Sequence, residues 1–288
     1  FGGTFTGLSM ELQKKYLEAL QEYIERGDIQ GIRLSTRPDY IQKDILEQLR
    51  KYGVKAIELG IQSLDKEVLR RSDRFYTEKQ VLSSIQQMQS YGFEVGIQIM
   101  VGLPGSSLEK EIKTIKTLIA CQPDTARIYP TLVLEDTILE KQYHQGEYQA
   151  LTLEEAVERS RILYAYLEQA GIRTIRLGLQ ATEELSKEKT MVAGPYHPAF
   201  RELVETEIAY VFLKDIFEKE GVQTIFCTET EVSRIVGLKK KNKERFGKDF
   251  QVKIQNNLSE GQVLIGNKVY SREERIRRNL DVGTSMDF

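Results

Sequence analysis

Hydrophobic and polar positions along this chain switch repeatedly between a helical and an extended period. From Met10 to Arg26 apolar residues recur at helical spacing (Leu12, Tyr16, Leu17, Leu20, Tyr23, Ile24), and Gly31–Ser35 then reads as a short strand. The exchange repeats as helix Asp44–Tyr52 and strand Ala56–Gly60, helix Lys79–Tyr91 and strand Val95–Val101, helix Leu108–Ala120 and strand Thr125–Leu132, helix Leu153–Ala170 and strand Arg173–Leu179. Gly53, Gly92 and Gly171 each follow a last helical turn, where a residue tolerant of positive φ ends the helix. Strict alternation of this kind predicts parallel strands joined by helical crossovers, either an open doubly wound sheet or a (β/α) barrel.

Polar, Gly- and Pro-rich stretches gather just after the strands: Ser35–Asp39, Gly60–Ser63, Gly102–Gly105 and Tyr129–Thr131. In parallel α/β folds that edge carries ligands, so four such loops predict a binding face there. Beyond residue 190 the pattern changes. A punctuated loop, Gly194–Pro198, leads to a helix at Phe200–Glu220, a strand at Thr224–Cys227, a basic helix at Glu231–Phe246, a strand at Phe250–Ile254 and a hairpin of Val263–Ile265 with Lys268–Tyr270 across Gly266 and Asn267. Residues 271–288 are charged and read as frayed or helical. The expected organisation is an α/β unit of parallel strands over 1–190 and a small α+β appendage over 191–288.

Composition narrows this picture. The chain has 288 residues, 40% hydrophobic and 29% charged, with 41 Lys and Arg against 43 Asp and Glu for a net charge of −2. That balance excludes a strongly basic nucleic-acid binder but allows a local patch. No apolar run approaches a membrane span. Two cysteines, Cys121 and Cys227, exclude a disulfide framework or a local thiolate metal site, and suggest a reducing, cytoplasmic setting. The chain opens Phe1-Gly-Gly-Thr-Phe-Thr without Met, so it reads as the interior of a longer protein, entered at a glycine turn that exposes backbone N–H groups.

Six motifs occur in order: Phe1-Gly-Gly-Thr-Phe-Thr, Ser35-Thr-Arg-Pro-Asp-Tyr40, Glu58-Leu-Gly-Ile-Gln-Ser63, Arg70-Arg-Ser-Asp-Arg-Phe-Tyr-Thr77, Val101-Gly-Leu-Pro-Gly105 and Arg127-Ile-Tyr-Pro-Thr-Leu132. Over residues 1–180 the chain resembles the radical S-adenosylmethionine (SAM) enzymes. Within them it is similar to the Elongator catalytic-subunit-like branch, with oxygen-independent coproporphyrinogen oxidases as nearby relatives. The resemblance implies a partial barrel, a [4Fe–4S] cluster held by three cysteines, SAM as co-substrate, an electron donor, and a 5′-deoxyadenosyl radical that abstracts hydrogen. The substrate is unknown, with tRNA as a candidate. The cysteine loop would lie before Phe1, so this chain alone is expected to bind no cluster and to be inactive. Alternatives are an oxygen-independent coproporphyrinogen oxidase-like oxidoreductase and a non-catalytic nucleotide- or RNA-binding barrel.

The same resemblance implies site residues. Gly2, Gly3 and Thr4 match the loop whose backbone meets the SAM amino group. Gln62 matches a strand-end SAM contact, Arg74 an arginine that neutralises the SAM carboxylate, and Gln98 a position that holds the ribose hydroxyls. Tyr129, Pro130 and Leu132 match the segment that lines the adenine. Ser35 stands where relatives commonly carry Glu, while Arg37 and Asp39 keep the rest of that motif. No catalytic residue or metal ligand is assigned within the chain.

Other residues admit plainer roles. Arg37 and Asp39 also read as a local ion pair in a turn. Arg70 and Arg71 read as a solvated helix face, Glu58 as site or structure, and His144 as a surface helix residue. His197 reads as a loop histidine or a substrate contact, and both cysteines as buried apolar residues. The basic stretch Val232–Arg245 reads as a solvated Lys-rich face or a phosphate contact. Its Ile-Val-Gly start resembles a KH-type loop, but no GxxG follows.

Overall fold

The computed structural model describes residues 3–180, 190–221 and 223–283. In chain order the elements begin α1 (Met10–Glu18), α2 (Gln21–Glu25), β1 (Ile32–Thr36), α3 (Lys43–Lys51), β2 (Val54–Gln62), α4 (Lys66–Arg71), α5 (Glu78–Ser90), β3 (Glu94–Val101), α6 (Leu108–Ile119) and β4 (Thr125–Pro130). They continue with β5 (Val133–Leu134), α7 (Ile138–His144), α8 (Leu153–Gln169), β6 (Arg173–Leu177), β7 (Met191–Ala193) and α9 (Phe200–Glu220). The last are β8 (Thr224–Cys227), α10 (Glu229–Val236), α11 (Lys241–Phe246), β9 (Gln251–Ile254), β10 (Val263–Ile265), β11 (Lys268–Tyr270) and α12 (Arg272–Gly283).

Contacts divide the chain into two compact units, Phe1–Thr131 with Ile172–Arg176, and Leu132–Gly171 with Leu177–Phe288. The first is built on a five-stranded sheet of order β1-β2-β3-β4-β6, parallel from β1 to β4. The alternation predicts this parallel sheet, and the partial (β/α) barrel is what the resemblance implies. Helices start where the sequence places caps: Thr77 and Gln80 form a reciprocal capping box on α5, and Ser107 caps α6. Gly53, Gly92 and Gly171 do take positive φ, of 78°, 77° and 71°. One sheet face is apolar and buried, through Ile57, Leu59, Ile61, Val95, Ile97 and Ile128; α3 packs on β2 and α5 on β3. Each such side chain contributes about 1.5–3 kcal/mol on burial.

The second unit carries a four-stranded sheet of order β11-β10-β8-β9 and the short pair β5-β7. Its core is aromatic-rich, with Phe212, Phe250 and Tyr270 around Ile225, Cys227 and Ile265. The division differs from the expected boundary at residue 190. Helix α8 packs against α9 and α12, and its fully buried Arg161 donates to the Asn279 side chain at 2.8 Å, which ties it to the C-terminal helix. Two further expectations are corrected. The helix over Met10–Arg26 breaks at Ala19 and Leu20 into α1 and α2, and the helix over Glu231–Phe246 breaks at Gly237 into α10 and α11. Cys121 is half-buried, whereas Cys227 is buried and its thiol is pushed up to about 11 by burial.

Candidate functional site

Strand register decides which side chains share the sheet face opposite the apolar one. Ser35 lies opposite Glu58, Glu58 opposite Gly96 and Gly96 opposite Thr125; one step further, Gly60, Gln98 and Arg127 align. With a period of two, Arg33, Ser35, Glu58, Gln98, Arg127 and Tyr129 therefore line one polar face. Glu58 sits at its centre with a side chain only 5% exposed. Arg127 Nη2 lies 2.8 Å from its carboxylate, Arg33 Nη1 donates to it at 3.4 Å, and Ser35 Oγ donates at 3.2 Å. A buried carboxylate needs such partners. The carboxylate on β2 and the guanidinium from β4 meet across β3, and Gly96 allows it: a Cβ there would lie 2.8 Å from Glu58 Cγ. Burial opposes the charge of Arg127, yet the Tyr129 hydroxyl, at 3.1 Å, and Glu58 more than offset it and hold the guanidinium above its ordinary value. Ser35 supplies no carboxylate at the end of β1; Glu58, its register partner, brings one to the same place.

At the carboxyl edge of the strands β2 ends in a strained turn. Gln62 has φ +64° and is buried; left-handed backbone costs a non-glycine residue roughly 1–2 kcal/mol. Its amide oxygen accepts from Gln98 Nε2 at 3.3 Å. The Tyr76 hydroxyl donates to the carbonyls of Ile61 and Gly60 at 2.7 and 3.1 Å, and Arg74 Nη1 to the Gly60 carbonyl at 3.5 Å. Burial raises the Tyr76 phenol above its ordinary value. Arg37 forms a two-pronged pair with Asp39 at 3.0 and 2.7 Å, which raises its guanidinium above the ordinary value, and it lies over the rings of Tyr40 and Tyr76. The amino-terminal segment reaches the same edge: buried Thr6, in the turn Phe5–Gly7, pairs hydroxyl to hydroxyl with Thr36 at the end of β1.

The structure thus brings together Ser35, Gln62, Gln98, Arg74 and Tyr129 on one face and edge, with Arg37 and Thr4 flanking it. Gly3 is exposed, with open space around it, and Gly2 lies outside the described residues. Pro130 is not on this face, because it is the residue after Tyr129 on β4 and points to the opposite side. Leu132 falls in the second unit. The plainer roles hold elsewhere: Arg71 pairs weakly with Glu67 on the surface at 3.8 Å, His144 faces Glu140 at 3.7 Å, and His197 Nδ1 accepts from the Ala199 amide at 3.0 Å. Arg33, Glu94, Tyr76 and the role of Arg127 escaped the sequence. The available signal was parity, since Arg33 precedes Ser35, and Arg127 precedes Tyr129, by two.

SAM fits this donor set. Its hydroxyls suit the Gln62 and Gln98 amides, its carboxylate the half-exposed Arg74 fork, and the absence of a Cβ at Gly60 and Gly96 keeps the face low. A [4Fe–4S] cluster does not fit the described residues: no group of three or more His, Cys, Asp or Glu among them could hold a metal ion.

Comparison with known proteins agrees with the geometry. Residues 2–118 match the radical SAM superfamily, and residues 123–210 match the Radical_SAM C-terminal domain. The tRNA uridine(34) acetyltransferase of Methanocaldococcus infernus is 32% identical over 177 residues, 54% of this chain and 33% of that protein. Elongator complex protein 3 of Homo sapiens is 31% identical over 177 residues, 54% of this chain and 32% of that protein. The solved structure of M. infernus Elp3 with an N-terminal deletion superposes with a TM-score of 0.60 at 28% identity, covering 77% of this chain and 53% of that one. The chain spans about a third of the length of the curated relatives it matches.

Proposed function

The chain belongs to the radical SAM superfamily, and from that premise we propose that its first unit binds SAM and serves SAM-dependent radical chemistry on an RNA substrate, with tRNA as the candidate. The observation that carries this is the strand-end edge, where Gln62, Gln98, Arg74 and the Gly60 carbonyl converge beside an open polar face. When bound, SAM supplies the 5′-deoxyadenosyl group that removes a hydrogen from substrate. The chain's own residues bind and orient it. Arg74 would neutralise the carboxylate, the Gln98 and Gln62 amides would take the ribose hydroxyls, Tyr129 would line the adenine, and the Gly3-Thr4 backbone would meet the amino group. The Glu58–Arg127–Arg33 cluster holds the floor of this face in place. A reducing cytoplasmic setting and an external electron donor are part of the proposal.

The test is equilibrium dialysis of SAM against this chain, followed by anaerobic reconstitution, with iron, sulfide and dithionite, of the longer protein that carries the expected cysteine loop. Retention of SAM that weakens about tenfold in Arg74→Ala is expected, since a lost charged hydrogen bond is worth roughly 1.5–3 kcal/mol. Absence of SAM retention would reject the site. Retention without 5′-deoxyadenosine after reconstitution would favour the non-catalytic binding barrel.

A further inference from the structure

We propose that the turn Gly237–Lys240, between α10 and α11 in the second unit, clamps the phosphate backbone of single-stranded RNA. This goes beyond the radical SAM reading and stands whether or not the first unit cleaves SAM.

The turn is built, not incidental. Gly237 has φ +81°, Lys239 +51° and Lys240 +64°. Two successive lysines in left-handed backbone cost roughly 1–2 kcal/mol each and persist only where their surroundings over-determine them. Here the surroundings are the partly buried hydroxyl of Thr206 and the side chain of Asn242. Thr206 Oγ1 accepts from Leu238 N at 3.0 Å, and Asn242 Nδ2 donates to the carbonyls of Thr206 and Ile235 at 3.0 and 3.1 Å. A Cβ on Gly237 would meet Thr206 Cγ2 at 2.6 Å, so only glycine fits that position. In the KH module a GxxG turn between two helices clamps the nucleic-acid backbone. This chain lacks the second glycine of that pattern. Its fourth residue, Lys240, nevertheless takes the left-handed conformation that glycine favours, so the turn keeps its backbone path and gains a cation. The turn also sits in the helix–turn–helix crossover that joins the parallel neighbours β8 and β9.

Charge points to a polyanion. Lys239, Lys240 and Lys243 are exposed, whereas in the same basic stretch Arg234 pairs with Glu231 and Arg245 with Glu207 at 2.7 Å. Four other surface lysines face carboxylates one helical turn away, in Lys14–Glu18, Lys15–Glu11, Lys43–Glu47 and Lys214–Glu218. In a chain of net charge −2, two unpaired ammonium groups on the turn and a third on α11 concentrate positive potential. Beside the turn lies a groove of about 440 Å³ lined by Thr230, Ser233, Arg234, Lys239, Glu202 and Glu205. Arg234 occupies Glu205 at 3.2 Å. The hydroxyls and the Glu202 carboxylate are partners for a ribose 2′-hydroxyl, which favours RNA over DNA.

The test is fluorescence anisotropy of the full chain with a labelled, unstructured RNA dodecamer, with salt raised from about 50 to about 200 mM. Wild type is expected to bind with affinity falling as salt rises. Lys239→Ala/Lys240→Gly should weaken binding about tenfold and flatten the log–log slope by about 1.4, or about 0.7 per lost phosphate contact. Lys240→Gly alone should keep the turn and lose one contact. Unchanged affinity and slope in the double variant would overturn the proposal, as would equal binding of an RNA duplex; equal binding of the DNA dodecamer would overturn the assignment to RNA. SAM retention by the same variants should stay at the wild-type level, so failure of this proposal and failure of the SAM site are separately visible.

Discussion

Glu58 in the first unit and Glu231 in the second are both buried glutamates gripped by a pair of arginines. The Glu231 side chain is fully buried, and Arg275, 8% exposed, donates to it at 2.7 Å and to the Gly261 carbonyl at 2.7 Å, while Arg234 donates to its other oxygen. Glu58 is nearly as buried, but its partners Arg33 and Arg127 are 35% and 27% exposed. Each cluster leaves one buried guanidinium Nε without a partner, Arg127 in one and Arg275 in the other, so incomplete hydrogen bonding does not separate them. What separates them is one cation: Arg234 is 36% exposed, as open as Arg33 and Arg127, but Arg275 is nearly buried. Arg275 on α12 closes the Glu231 cluster and fastens the C-terminal helix, whereas the Glu58 cluster opens onto the face that carries Gln98 and Tyr129. A sealed ion cluster fastens elements together; an open one prepares a surface.

The largest expected effect breaks the sealed cluster. Glu231→Ala leaves Arg275 buried and unpaired, a loss of about 3–5 kcal/mol, read as a fall in the urea midpoint. The same cluster sets an acid limit. Although burial alone would raise it, the Arg275 and Arg234 guanidiniums hold the Glu231 carboxyl below the usual carboxylate range. Its contribution to stability is therefore complete above that range and is lost as pH falls through it. Glu231→Gln should flatten the acid limb of the stability curve; an unchanged limb would mean that other groups set it. Glu58→Ala should cost less, about 1–3 kcal/mol, because Arg33 and Arg127 can turn to water. It should also weaken SAM retention, which Glu231→Ala leaves intact in the molecules that remain folded. Equal stability losses at both sites would erase the distinction.

Much of this was legible in the sequence where one local rule sufficed. The alternation of helix and strand gave the parallel sheet, the glycines after α3, α5 and α8 marked the helix ends, and the residues at the strand ends predicted the binding edge. Positions that depend on register were not legible. Glu58 and Arg127 lie far in sequence from Arg33 and Ser35, and they meet only because Ser35 pairs with Glu58 and Glu58 with Gly96. The resemblance pairs Pro130 with Tyr129, and alternation along β4 sends it to the other face. The break at Gly237 was hidden because the flanking residues all suit a helix, and the demand for the turn comes from Thr206, some thirty residues away.

The smallest expected effect compares two residues with the same strain. Gln62 and Lys240 both have φ +64°. Replacing either by glycine relieves roughly 1–2 kcal/mol of left-handed strain and adds about 0.5–1 kcal/mol of unfolded-chain entropy. For Lys240 the side chain is exposed, so the balance favours the variant: Lys240→Gly should be neutral or stabilising by up to about 1 kcal/mol. For Gln62 the side chain is 5% exposed and accepts a hydrogen bond from Gln98 at 3.3 Å. Gln62→Gly therefore also loses about 0.5–1.5 kcal/mol of hydrogen bonding and leaves a gap at the strand edge, so it should destabilise and weaken SAM retention. Urea midpoints of the two variants decide the matter. Opposite signs would mean that Gln62 is held in its strained turn by the contacts it makes and Lys240 by the frame beneath it. A destabilised Lys240→Gly would show instead that the lysine side chain, and not the Thr206–Asn242 frame, fixes the turn.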